Sequence, residues 1–126
     1  MVIKGVGIDL VENKRIKRLY DTYGLKFASK ILGTAELNEF NKSNDKIGYL
    51  SKRFASKEAL SKAIGIGLYR EGLSPKLIEI THNDNGKPYF KENAILKNVM
   101  KKYLVNSFSL SISDTSDYST AVVISE

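Results

Sequence analysis

A chain of 126 residues with 42% hydrophobic and 27% charged positions has the length and composition of one self-folding domain, taken as spanning residues 1–126. The absence of cysteine excludes disulfides, thiolate catalysis and cysteine-built zinc sites, and a single histidine, His82, excludes a multi-histidine metal centre. With 20 Lys and Arg against 14 Asp and Glu, the formal charge of +6 suits a polyanionic partner, whether nucleic acid, nucleotide or acidic protein.

The N-terminal stretch has no basic segment followed by a long apolar core, and no segment reaches the roughly 20 apolar residues that span a bilayer. A soluble cytoplasmic protein without a membrane partner is expected. Residues 1–10 alternate, with Val2, Val6, Ile8 and Leu10 apolar and Gly5, Gly7 and Asp9 between them, which predicts a strand with Asp9 near its end. The glycines leave one face bare, open to close approach by another element. Residues 12–22 read as a basic helix stopped by Gly24, and Thr34, Glu36 and Leu37 as a second helix start. After a turn at 41–45, a long helix is expected over 47–64, ended by Gly65.

Residues 77–81 then read as a strand. Asn83, Asp84, Asn85 and Gly86 form a turn leading into Lys87, Pro88, Tyr89 and Phe90, together a hairpin. Residues 92–102 place Ile95, Leu96, Val99 and Met100 at amphipathic helical spacing. Phe108, Leu110 and Ile112 alternate with Ser107, Ser109, Ser111 and Ser113, a strand with one apolar and one hydroxyl face, and residues 121–124 form its antiparallel partner. Strands and helices mix without regular βα alternation, so the fold class is α+β, mainly antiparallel sheet packed with helices.

The segment RFASKEALSKAIG, residues 53–65, sets Glu58 among Arg53, Lys57 and Lys62. Helical projection groups Ala55, Ala59, Leu60, Ala63 and Ile64 on a core face and puts Glu58 and Lys62 on the other. Taken alone, Glu58 and Lys62 form an i,i+4 ion pair worth about 0.2–0.5 kcal/mol. Taken with Asp9, Glu58 supplies the second carboxylate of a magnesium site, in which Arg15, Arg53, Lys57 and Lys62 share the charge of a phosphate-bearing substrate.

Three segments, GIDLVENKRI (7–16), RFASKEALSKAIG (53–65) and SLSISDTSDYSTAVVI (109–124), resemble the signature blocks of the holo-[acyl-carrier-protein] synthases, the short bacterial 4′-phosphopantetheinyl transferases. NGKP at 85–88 and KFASKIL at 26–32 extend the resemblance over essentially the whole chain. It implies transfer of 4′-phosphopantetheine from coenzyme A to a serine of apo acyl carrier protein, with release of 3′,5′-ADP, in fatty acid biosynthesis. It also implies Mg2+ held by Asp9 and Glu58, which with Lys62 form the catalytic set. Arg53, Lys57, Lys62, Gly86, Lys87, Pro88 and Thr115 match coenzyme A contacts. Arg15, flanked by Lys14, Lys17 and Arg18, matches a position facing the acidic carrier protein. A homotrimer with active sites between subunits is implied as well.

One departure stands out. The third block of the family usually carries a histidine that touches the nucleotide end of coenzyme A, where this chain has Asp114. An ionised carboxylate repels phosphate, so that contact is lost, taken over by Thr115 or a backbone N–H, or supplied by a nearby lysine. His82 is read as a surface hairpin residue on a different strand. Two other functions compete: a carrier-protein-binding scaffold without catalysis, kept open by Asp114, and a basic nucleic-acid-binding module. The latter is suggested by charge and by seven tyrosines and five phenylalanines, but most of these fall on apolar stripes, and no nucleic-acid partner is expected.

Overall fold

The computed structural model describes residues 2–126; Met1, included in the expected first strand, lies outside the described residues. In chain order the elements are β1 (Gly5–Glu12), α1 (Asn13–Tyr23), α2 (Leu25–Ile31), α3 (Thr34–Lys42) and α4 (Lys46–Ile64). After a 3-10 turn at Pro75–Leu77 come β2 (Ile80–His82), β3 (Pro88–Phe90), α5 (Ala94–Lys102), β4 (Phe108–Asp114) and β5 (Tyr118–Ser125). An antiparallel sheet in the order β1-β5-β4 and a separate β2-β3 hairpin make this an α+β fold.

Local chemistry sets the element ends. The Asp45 carboxylate accepts from Gly48 N at 3.0 Å and caps α4, which Gly65 ends in a left-handed conformation (φ 92). The Asn93 side chain accepts from Leu96 N at 2.9 Å, so α5 begins two residues later than its apolar spacing suggests. Asn83 Oδ1 accepts from the N–H groups of Asn85 and Lys87 and so shapes the β2-β3 turn. The strand expected at 77–81 is displaced toward His82 because Pro75 starts the 3-10 turn instead.

The bare glycine face of β1 is where α4 lies. A Cβ on Gly5 would sit 2.1 Å from the Ala63 carbonyl oxygen, and one on Gly7 1.9 Å from that of Ala59. Ala55, Ala59 and Ala63 keep the helix side of this contact equally thin, and all three are buried. The opposite face of β1 is apolar and points outward: Val6, Ile8 and Leu10 are 60%, 62% and 66% exposed. They stand beside Ile124, Val122 and Thr120 of β5, which in turn stand beside Ser109, Ser111 and Ser113 of β4.

The other side of α4 packs on α2 and α3, so the helix is enclosed on both flanks. The expected two-sided division of this helix therefore needs correction. Arg53, Lys57, Ser51, Ser56 and Ser61 are buried along with the alanines, whereas Ile64 is only partly so. Phe40, Leu50, Leu60, Ile78 and Leu96 are buried in the same core, each burial contributing about 1.5–3 kcal/mol.

Candidate active site

The close fit of α4 on β1 brings distant charges together. Asp9 shares the inward side of β1 with Gly7 and Val11, and its carboxylate is 16% exposed. The Lys62 ammonium donates to the Ile8 carbonyl at 2.9 Å and lies 3.2 Å from Asp9 Oδ1. The i,i+4 pair expected between Glu58 and Lys62 thus gives way to an ion pair between Lys62 and the strand, because the glycines let the helix approach closely. Burial and, next, the charge of Asp9 push the Glu58 carboxyl above the usual carboxylate range, while Lys62 and Arg15 pull it back. Two carboxylates, one ammonium and one guanidinium from β1, α1 and α4 therefore act on one another across a single face.

Lys57 has a different place from the one expected. It is wholly buried, with Nζ 2.6 Å from both Glu36 Oε1 and the Ile31 carbonyl oxygen. Burial pulls its ammonium below the usual lysine range, and the Glu36 carboxylate opposes that shift. Glu36 is itself 1% exposed and also accepts from Gly33 N at 3.0 Å and Ile80 N at 3.1 Å. Lys57 is thus removed from the coenzyme A contacts: its ammonium, bonded to Ile31 and Glu36, joins α2, α3 and α4. The spacing from Gly33 to Glu36, that of a capping pair, was the sequence signal for this hub.

Arg53 belongs partly to the same hub and partly to a cavity. Its Nε lies 3.1 Å from Glu36 Oε2 but out of line for a hydrogen bond, its NH2 group is 3.5 Å from Glu39, and the guanidinium stacks over Tyr49 at 4.5 Å. The cavity, about 630 Å³, is lined by Arg53, Lys52, Gly86, Lys87, Pro88 and Asp114, among others. His82 is an exposed residue of the β2-β3 hairpin, as expected, and also lines this cavity, because β3 packs beside β4 and carries β2 with it. Lys52 Nζ stands 3.9 Å from the Asp114 carboxylate, so a lysine does accompany the departure at that position.

Thr115 is separated from this cavity. Its hydroxyl accepts from the N–H groups of Asp117 and Tyr118 at 3.2 and 3.1 Å, closing the β4-β5 turn, and it borders a smaller cavity with Lys14 and Lys17. Lys14, Arg15 and Arg18 are exposed on α1, whereas Lys17 is paired with Asp21 at 2.6 Å. The cationic face expected on this helix is therefore present in the chain, with Lys17 engaged. The residues that sequence reasoning left out are Glu36, Lys52 and His82; only proximity in the fold gives the last two a role.

The model of the 4′-phosphopantetheinyl transferase superfamily matches residues 5–123, and the chain belongs to that superfamily. Within it the resemblance is to holo-[acyl-carrier-protein] synthases. That of Nitrosospira multiformis is 43% identical, with 99% of each chain covered. The crystal structure of the enzyme from Neisseria meningitidis superposes with a TM-score of 0.94 at 41% identity, covering 99% of each chain. That of Helicobacter pylori, in complex with coenzyme A, gives 0.83 at 30% identity, covering 96% of this chain and 99% of that one. The chain is thus an enzyme of the holo-[acyl-carrier-protein] synthase family, a phosphopantetheinyl transferase.

Proposed function

We propose that the protein transfers 4′-phosphopantetheine from coenzyme A to a serine of apo acyl carrier protein, in the cytoplasm and in the service of fatty acid biosynthesis. The observation that carries this reading is the meeting of Asp9, Glu58 and Lys62 between β1 and α4. Relatives of the family named above, one of them described with coenzyme A bound, support the substrate.

Among the described residues no group of three or more His, Asp or Glu side chains that could hold a metal gathers. Two carboxylates whose charges oppose each other nevertheless fit Mg2+, which takes one or two protein carboxylates and completes its shell with substrate phosphates and water. Asp9 and Glu58 would hold it, and when bound it would neutralise pyrophosphate charge. The serine hydroxyl attacks the β-phosphorus of coenzyme A, a new P–O bond forms, and the bond to 3′,5′-ADP breaks. Lys62, steadied by the Ile8 carbonyl, offers its ammonium to the charge that develops on the pyrophosphate. A water bridging Glu58 and the serine hydroxyl gives the proton a path to the carboxylate.

The geometry of α4 also supports an active site shared between subunits. At 100° per residue, Arg53 and Lys62 point in directions about 180° apart and Arg53 and Glu58 about 140° apart. One coenzyme A molecule reaching both the Arg53 cavity and the Asp9 cluster is best served by halves from neighbouring copies. The outward apolar stripe of Val6, Ile8, Leu10, Val122 and Ile124 suits the assembly of such copies, read here as a homotrimer. The exposed Lys14, Arg15 and Arg18 suit the acidic carrier protein.

The test is incubation with coenzyme A and apo acyl carrier protein, with and without magnesium, followed by mass spectrometry of the carrier. A phosphopantetheine mass gain that requires magnesium is expected. A folded protein that gives none at any magnesium concentration would exclude this function.

A further inference from the structure

Helix α1 starts under conditions that its own sequence disfavours. Its first turn carries Lys14 and Arg15 and no acidic residue, so two cations lie at the positive end of the helix dipole, and the Glu12 side chain makes no capping hydrogen bond. Support comes instead from the far end of the chain. The Asn13 backbone N–H donates to the Asp117 carbonyl at 2.8 Å. Its side-chain amide nitrogen donates to the Thr115 and Ser116 carbonyls, both at 3.2 Å, and its side-chain oxygen accepts from the Ser119 hydroxyl at 2.8 Å. Ser119 is fully buried, so this last bond is shielded from water. Donor and acceptor ends of the Asn13 amide are thus both engaged, and all their partners lie on β5 or in the turn before it.

The position of this anchor ties it to the chemistry. Asn13 directly follows β1, which carries Asp9, and lies a little over half a helical turn before Arg15. Arg15 is exposed, yet its charge reaches Glu58. The bonds of Asn13 therefore set where the first-turn cations stand relative to the cluster of Asp9, Glu58 and Lys62. They also give Thr115 its place outside the Arg53 cavity: its carbonyl and its hydroxyl both serve the turn that holds α1.

We propose that Asn13 is a positioning residue for transfer: by bonding the β4-β5 turn to the start of α1, it holds Lys14 and Arg15 where the incoming carrier protein meets the reacting groups. The inference rests on the transfer reading above and adds to it a residue that acts through its neighbours rather than on a substrate. Two cations at the start of α1 weaken the helix locally, and the tertiary bonds of Asn13 offset that loss.

The experiment measures transfer with the acyl carrier protein and coenzyme A varied in turn, and urea unfolding, in the unaltered protein, Asn13→Leu, Ser119→Ala and Asn93→Ala. Leucine keeps the branched shape of asparagine without its hydrogen bonds. Ser119→Ala removes only the bond to the Asn13 side-chain oxygen and decides the matter if Asn13→Leu does not fold. Asn93 is the comparison for stability alone, since its side chain caps α5 and ties that helix to Leu77, away from β1 and α1. In Asn13→Leu, kcat/KM for the carrier protein is expected to fall at least about tenfold, and in Ser119→Ala about threefold, with KM for coenzyme A within about twofold in both. Asn93→Ala should lower the urea midpoint comparably and keep kcat/KM for the carrier within about twofold. If the folded Asn13 and Ser119 variants keep the unaltered kcat/KM, or if Asn93→Ala loses as much, the anchor is only structural and the inference falls, while the transfer reading survives. A rise in KM for coenzyme A equal to that for the carrier likewise overturns it. An unaltered protein that transfers nothing overturns the transfer reading and this inference with it.

Discussion

At the residue scale, the same side-chain types serve opposite ends according to their surroundings. Burial and the charge of Asp9 raise the cost of ionising Glu58, an arrangement that favours a bound cation. Asp9→Asn and Glu58→Gln are each expected to lower transfer by at least about 100-fold. Glu58→Gln should keep or raise the melting temperature, because a repulsive charge is removed. Near-normal turnover in either variant would withdraw that residue from the metal site. Glu36 instead holds two buried cations in place, so Glu36→Gln should destabilise by about 3–5 kcal/mol. Lys57→Met should cost less, because Arg53 and two backbone N–H groups still satisfy the carboxylate. Folded Lys57→Met should show an ordinary KM for coenzyme A; a large rise in KM with unchanged stability would return Lys57 to the ligand-binding set.

At the element scale, the contact of α4 with β1 links stability to chemistry. It depends on Gly5 and Gly7, and the helix backbone there leaves no room for a methyl group. Gly7→Ala forces the helix away from the strand, at a cost of about 1–3 kcal/mol. The same displacement separates Glu58 and Lys62 from Asp9, so transfer should fall even in protein that remains folded. Urea unfolding and the transfer assay read the two effects separately. An unchanged urea midpoint would mean that the contact yields without cost. The β2-β3 hairpin has a comparable part on the other side of α4, where its packing on β4 delivers His82, Gly86 and Lys87 to the Arg53 cavity.

At the scale of the whole molecule, the unusual feature is a sheet with an exposed apolar stripe on the outward face of β1. Ile8 is 62% exposed, so Ile8→Lys should leave the fold of one chain intact while placing a charge in the face proposed for assembly. Sedimentation should find a trimer for the unaltered protein and smaller species for Ile8→Lys, with transfer reduced in proportion to the assembly lost. An unaltered protein that sediments as a monomer would refute the shared active site. No helix of the described residues is long and apolar enough to cross a membrane, so this outward face is not explained by a helical span.

Much of this was legible in the chain itself, because it depends on residues near one another in sequence. Alternation along β1 and β4, the glycine at the end of α4, the Asn83–Gly86 turn and the family blocks around Asp9, Glu58 and Asp114 are all short-range patterns. The tertiary structure alone decided which charges meet. Lys57 and Lys62 lie on the same helix, yet one is enclosed by α2 and α3 while the other crosses to Asp9, since burial depends on what packs against each face. His82 and Asp114 are far apart in sequence and share one cavity because the hairpin packs on β4. Local spacing determines elements and the residues able to do chemistry; the distances between elements determine which of those residues are structural and which remain free to bind.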